Sequence, residues 1–359
     1  MSLAIPHAPA SNAGPMQPGV AAPDAARPIG PSSNSYRGIV IPGRSRCRTW
    51  QLSKGAARLV GVVVCLICWH CGNGDSPSAP TPTPTPAPIP SPNPDPTPIP
   101  VTAVFVGAGD IGWCGLPWAD ATGRLLDGIG GTVFTAGDNA YPSGTMQNFL
   151  DCYEPAWGRH KGRTRPSPGN HEFESSGASG YFQYFGLNAG PPGLGYYSFE
   201  VGNWHAISLN SNIDSGASSA QGQWLRQDLA ASRTKCAVAY WHHPLFTSGP
   251  NGDNPGMREM WRILYAAGVD VVINGHDHLY ERFGPQDPDG RPDMRSGIRQ
   301  FTAGTGGAKL YDFTPNGKAN SEMQISAYGV LKLTLQSESY VWEFIPVSGR
   351  SDFGSGTCH

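Results

Sequence analysis

Residues 77–100 (PSAPTPTPTPAPIPSPNPDPTPIP) alternate proline with mostly small residues. Each proline fixes its own φ and removes a backbone donor, so this tract favours extended polyproline II and can supply neither a helix nor a central strand. It reads as a semi-rigid spacer, with a proline-rich docking segment as the alternative. The chain has 359 residues, including 35 prolines and 47 glycines, and most of the proline falls in the first hundred positions. A sizeable core is therefore expected only beyond the tract. The division that follows is 1–36 as a disordered extension, 37–71 as an export signal or anchor, 72–100 as the spacer and 101–359 as a single folded domain.

The segment 37–71 places Arg44, Arg46, Arg48, Lys54 and Arg58 before an apolar run from Leu59 to Trp69. Basic, then apolar, then small and polar is the order of a signal peptide. The run falls short of the roughly 20 residues that span a bilayer. Its distance from Met1 is explained if translation starts downstream at a non-Met codon. Cys71-Gly72-Asn73-Gly74 resembles a lipoprotein junction, although Ile67, Cys68, Trp69 and His70 before it are not the small residues such a junction prefers. Cys65-x-x-Cys68-x-x-Cys71 has the spacing of a metal knuckle, but its apolar setting favours the export reading. An exported protein (periplasmic, cell-surface or secreted), with membrane contact only through this segment, is expected. The remaining cysteines, Cys114, Cys152, Cys236 and Cys358, then suit two disulfides. The expected pairing is Cys114–Cys152 and Cys236–Cys358, one of three possible connectivities. A net charge of −2 offers no basic footprint for nucleic acid.

Beyond the spacer the pattern changes. Val101–Gly107, Gly131–Ala136 and Val269–Asn274 read as buried strands, and Pro117–Asp127, Gln221–Ala231 and Met257–Ala267 as amphipathic helices. Tyr328–Leu335 and Ser339–Pro346 alternate about a short turn as an antiparallel hairpin. Together these elements indicate an α/β fold with mixed sheets.

Five polar clusters stand at or near the ends of extended segments: Gly109-Asp110-Ile111-Gly112, Gly137-Asp138-Asn139-Ala140-Tyr141, Gly169-Asn170-His171-Glu172, Trp241-His242-His243-Pro244 and Gly275-His276-Asp277-His278. The carboxyl ends of strands are where open α/β sheets bind ligands. Carboxylate, phenolate, amide oxygen and imidazole are hard to borderline donors, sufficient for two metal ions if one carboxylate bridges. On a regular strand His276 and His278 would share a face, with Asp277 opposite. A turn after Gly275 would re-aim them, so spacing alone does not assign each to an ion.

The five clusters in this order resemble the calcineurin-like metallophosphoesterase family over nearly all of residues 101–310. The resemblance implies a four-layer αββα sandwich. Where the common family pattern begins Asp-x-His, this chain has Asp110-Ile111-Gly112, and a tyrosine follows Asp138 by three residues. Purple acid phosphatases show the same exchange, their tyrosinate binding ferric iron. The resemblance thus implies Asp110, Asp138, Tyr141 and His278 around Fe(III). Around a divalent Fe(II), Zn or Mn it implies Asp138, Asn170, His242 and His276. His243 is then a supporting or structural residue, as are Asn139 and Glu172.

The implied reaction is hydrolysis of small phosphate monoesters by attack of hydroxide formed between the ions, with no phosphoenzyme. His171 would protonate the leaving group or hold a phosphate oxygen. Its bland alternative is a hydrogen bond to Asp138 or a backbone carbonyl. Arg282 contacts phosphate or, as the preferred reading, pairs with an acid. The family's further histidine after His-x-Pro is missing from Leu245–Met257, which leaves the acid–base arrangement open. Gly304-Thr305-Gly306-Gly307 lacks the Lys-Ser/Thr of a nucleotide loop and reads as a turn near the metal face. Tyr181, Phe182, Tyr184, Phe185, Tyr196 and Tyr197 line a cleft or, by default, pack the core. A phosphodiesterase or nucleotide pyrophosphohydrolase on the same donors, or an inactive surface binding protein, are the competing functions.

Overall fold

The computed structural model describes residues 102–359. The extension, the export segment with Cys47, Cys65, Cys68 and Cys71, the spacer and Val101 lie outside the described residues. Among the described residues, no helix is long and apolar enough to cross a membrane.

Six strands make the first sheet: β1 (Ala103–Ala108), β2 (Thr132–Ala136), β3 (Thr164–Ser167), β11 (Gly329–Leu335), β12 (Ser339–Pro346) and β13 (Asp352–Thr357), in the order β13-β12-β11-β1-β2-β3. Seven make the second: β4 (Tyr197–Val201), β5 (Trp204–Ser208), β6 (Cys236–Tyr240), β7 (Val271–Asn274), β8 (Tyr280–Phe283), β9 (Arg299–Ala303) and β10 (Ser321–Ile325), in the order β10-β8-β9-β7-β6-β5-β4. In each sheet the central neighbours are parallel, β1 with β2 and β3, and β5 with β6, β7 and β9. Antiparallel strands lie on one side of the first set, including the expected β11–β12 hairpin, and on both sides of the second.

Alternation along the strands builds the layers. Phe105 of β1 faces a core shared with Leu331 and Leu333 of β11 and with Val238, Tyr240, Val271 and Phe301 of the second sheet. Its neighbour Val106 faces the other way. There it meets Leu126 of helix α1 (Trp118–Asp127), Phe149 and Tyr153 between the short helices α2 (Met146–Asn148) and α3 (Glu154–Trp157), and Trp157 of α3. On the second sheet, Ala239 and Val272 turn outward to Leu225 of α6 (Ala220–Ala231) and to Trp261 and Leu264 of α7 (Arg258–Ala266). Two further helices, α4 (Asn170–Phe173) and α5 (Ser179–Phe185), follow β3. The result is helices, sheet, sheet, helices, as expected. Burying one such Leu or Phe contributes about 1.5–3 kcal/mol, and three contiguous clusters of them hold the four layers together.

Both expected disulfides form, Cys114–Cys152 and Cys236–Cys358, with sequence separations of 38 and 122 residues. Chain-entropy reasoning assigns loops of that size roughly 4 and 5 kcal/mol. Tyr181, Phe182, Tyr184 and Phe185 pack in or against the outer core of the first sheet, in line with the default reading. Tyr196 and Tyr197 instead line a cavity of about 640 Å³ with Arg165 and Trp224.

Candidate metal centre

Five parallel strands end at one rim and each delivers one polar cluster. Asp110 stands two residues past β1, Asp138 two past β2, His242 two past β6 and His276 two past β7, while Asn170 opens α4 after β3. Asp110, Asp138 and His276 all take left-handed backbone, with φ of 61°, 49° and 70°. Non-glycine residues hold that conformation only where surroundings enforce it, and they gather at functional sites. The enforcement is visible in the backbone. Asp110 N donates to Gly137 O at 3.0 Å, Ile111 N to Asp138 O at 2.9 Å and Tyr141 N to Gly112 O at 2.9 Å. Gly137 combines a φ of 80° with so close an approach that a Cβ would lie 2.5 Å from His242 Nδ1.

Each carboxylate is anchored by one oxygen and offers the other. Asp110 Oδ2 accepts from His276 N at 2.8 Å and Asp138 Oδ1 from His171 N at 3.0 Å. The free oxygens enter two donor sets. In the first, Tyr141 Oη lies 3.1 Å from Asp110 Oδ1, Asp138 Oδ2 and His278 Nε2, and His278 Nε2 lies 3.2 Å from Asp110 Oδ1. In the second, His242 Nε2 lies 3.2 Å from Asp138 Oδ2, 3.0 Å from Asn170 Oδ1 and 3.2 Å from His276 Nδ1. Asp138 Oδ2 belongs to both. His242 Nδ1 faces Ala136 O at 2.9 Å and His278 Nδ1 faces Lys309 O at 2.7 Å, which leaves both Nε2 atoms to the donor sets. The His-x-His ambiguity is thus resolved in the backbone. His276 leaves strand geometry, the two imidazoles part to different sets, and Asp277 turns away to Thr247 Oγ1 and Asn251 N.

The donor set fits metal ions. Ligands about 2.1 Å from an ion lie about 3.0–3.4 Å from their neighbours, the spacing of both sets. Among the described residues, the only ion-pair partners of Asp110 and Asp138 are histidines, so no lysine or arginine occupies the centre of either set. The protonation pattern of the metal-free protein points the same way. Burial alone would raise the Asp138 carboxyl, but the charge of His242 pulls it below the usual range. Burial opposes the His242 charge, yet Asp138 lifts this imidazole to about 9. His278 is likewise raised, burial being outweighed by Asp110. Burial and the charge of His242 lower His276 to about 2, leaving a neutral ligand. Burial, with Asp110 and Asp138 adding to it, holds the Tyr141 proton well above the phenol range. A cation in place of these protons reverses that bias.

The supporting residues sit as follows. Buried Glu172 accepts from Asn139 N at 2.9 Å, Ala140 N at 3.2 Å and Gly169 N at 2.7 Å, tying two donor loops together. Burial and the neighbouring Asp138 charge push it up to about 7. Asn139 Nδ2 donates to Ser167 O at 3.0 Å. His171 packs on Tyr141 with ring centroids 4.4 Å apart; its Nδ1 contacts Pro142 O and its Nε2 lies 3.8 Å from Asp138 Oδ2. His243 Nδ1 pairs with Ser211 Oγ at 2.8 Å and its ring meets His276. Arg282 does not join the centre and pairs with acids, as the preferred reading has it. Its guanidinium is committed to Asp352 and Glu322 and lies over Trp342. Gly306 N donates to Gly109 O and Ala308 N to Asp110 O, both at 2.9 Å, so the glycine-rich turn backs the Asp110 loop as expected. Two aromatic neighbours had no sequence signal, being isolated in loops. Tyr311 stacks on His278 at 4.1 Å, and Trp113 on Tyr141 at 4.8 Å.

The chain belongs to the calcineurin-like phosphoesterase family, which it matches over residues 98–280, just over half its length. It is 43% identical over 93 residues to purple acid phosphatase 18 of Arabidopsis thaliana, covering 24% of this chain and 21% of that protein. It is 30% identical over 200 residues to purple acid phosphatase 15 of the same plant, covering 45% and 38%. The chain therefore spans less than half the length of these curated relatives. A yellow lupin purple acid phosphatase structure shares the fold, with a TM-score of 0.60 at 18% identity, covering 71% of this chain and 54% of that one.

Proposed function

We propose that the chain is an exported, two-metal phosphomonoesterase of acid phosphatase type. The observation that carries this reading is Asp138 Oδ2, which stands 3.1 Å from Tyr141 Oη in one donor set and 3.2 Å from His242 Nε2 in the other. Asp110, Tyr141 and His278 hold the first ion with Asp138, and Asn170, His242 and His276 hold the second with it. When bound, the two ions supply an acidified water and neutralise charge on the phosphate oxygens. The phenolate donor of the first set suits Fe(III), and the nitrogen and amide donors of the second suit Fe(II), Zn or Mn.

The protein's own residues do the rest. His171, fixed beside Tyr141, presents Nε2 toward the shared oxygen and serves the leaving alcohol or a phosphate oxygen. Glu172 keeps the Asp138 and Asn170 loops in register, and His243 braces His276. Residues 37–71 serve export or anchoring, residues 72–100 act as the spacer, and residues 101–359 form the catalytic domain. The two disulfides suit an oxidising compartment.

The test is release of inorganic phosphate from an aryl phosphate by metal-replete protein. Absence of release overturns the activity. A visible band that disappears in Tyr141→Phe supports iron in the first set, whereas a colourless, active zinc or manganese protein removes the iron assignment.

A further inference from the structure

Trp113 is a large apolar side chain with 41% of its surface exposed, next to the first donor set. Its ring stacks on Tyr141, the planes 30° apart. The loop that carries it is firmly held. Cys114 is bonded to Cys152, Trp113 N donates to Ile111 O at 3.0 Å, and Trp113 O accepts from Leu116 N at 3.2 Å. A rigid exposed aromatic loses little freedom when a ligand covers it. Trp113, Cys114, Tyr141 and Pro142 line a cavity of about 240 Å³. An apolar cavity of about 150 Å³ accepts benzene, whereas drug-sized ligands occupy about 300 Å³ or more. The cavity thus suits one aromatic ring. None of its four lining residues is charged, so it suits a neutral ring and not a second phosphate.

We propose that this cavity is the subsite for the leaving group of aryl phosphate monoesters, with Trp113 as its stacking platform. The proposal rests on the phosphomonoesterase reading. Tyr141 is common to the cavity wall, the first donor set and the contact with His171, so the cavity adjoins the donor sets. Offset or tilted stacking on tryptophan supplies the attraction, and an alkyl group of the same size lacks that stacking.

Phenyl phosphate and cyclohexyl phosphate are compared as substrates of the full chain and of Trp113→Ala and Trp113→Phe, with metal content and thermal midpoint recorded for each. The phenyl-to-cyclohexyl ratio of kcat/KM is expected to fall about three- to tenfold in Trp113→Ala, mainly through KM, the worth of one aromatic pair. Trp113→Phe is expected to retain most of the ratio. A ratio that is the same in wild type and Trp113→Ala overturns the subsite. Release of phosphate from neither ester by the wild type overturns the phosphomonoesterase reading instead. The subsite is then decided by binding of phenylphosphonate against methylphosphonate. Preference for the phenyl compound, lost in Trp113→Ala, sustains it, and equal affinity for the two overturns it.

Discussion

Substituting Gly169 by alanine should disable the centre through space alone. Gly169 has a φ of −107°, which any residue adopts, so the change brings no conformational penalty of its own. A Cβ there would lie 2.1 Å from Asp138 Oδ1 and 2.3 Å from Asp138 N. The second atom is backbone and cannot swing aside. Restoring ordinary contact moves Asp138 or the Asn170 loop by about 1 Å. Asp138 Oδ2 contributes to both donor sets, so the displacement loosens both at once. A shift of that size costs about 100-fold in rate, and the overpacking about 1–3 kcal/mol of stability. Gly130→Ala is the matched control, because a Cβ there meets nothing within 4 Å. Phosphate release from an aryl phosphate, bound metal per chain and thermal unfolding are measured on both variants. Gly169→Ala with full metal and a rate within twofold of wild type would refute the packing argument.

Two further perturbations test the electrostatics and the pairing of Arg282. In the metal-free protein Asp138 raises His242 to about 9, so the stability gained from that proton is complete below the ordinary imidazole value and is lost as pH climbs through 9. The thermal midpoint of chelated protein should fall between about pH 6.5 and 9, and metal loading should flatten that fall because a ligating imidazole is neutral; a flat midpoint in the chelated protein contradicts the pairing. Arg282→Ala strands the buried Asp352, which also accepts from Tyr280 and Trp342. It should cost about 3–5 kcal/mol in denaturant unfolding while KM stays put, and a large rise in KM with stability intact would restore the phosphate contact.

The donor loops were legible because their chemistry is local: a ligand type, preceded by glycine in four of the five clusters, at or near the end of an extended segment. The long elements were legible for a similar reason, since β1, β2, β7 and the β11–β12 hairpin carry their burial in their own periodicity. Strand β8 (YERF) was not, because its polar residues are buried on partners far along the chain, Glu281 on Ser321 and Arg282 on Asp352 and Glu322. Strands β10 (SEMQI) and β13 (DFGSGT) are polar or glycine-rich and gain strand form from their neighbours. The parting of His276 and His278 depended on one backbone angle, a φ of 70° at His276, which no spacing encodes. Trp113 and Tyr311 reach the centre from irregular loops, where no periodicity marks a side chain's direction.

The most direct test of a centre built on one shared oxygen is the metal content of Asp138→Asn, counted per folded chain by native mass spectrometry. Two ions in the wild type and loss of both in the variant are predicted, because Asp138 Oδ2 stands in both donor sets. A folded Asp138→Asn chain that keeps two ions would contradict the bridge and, with it, the two-metal account.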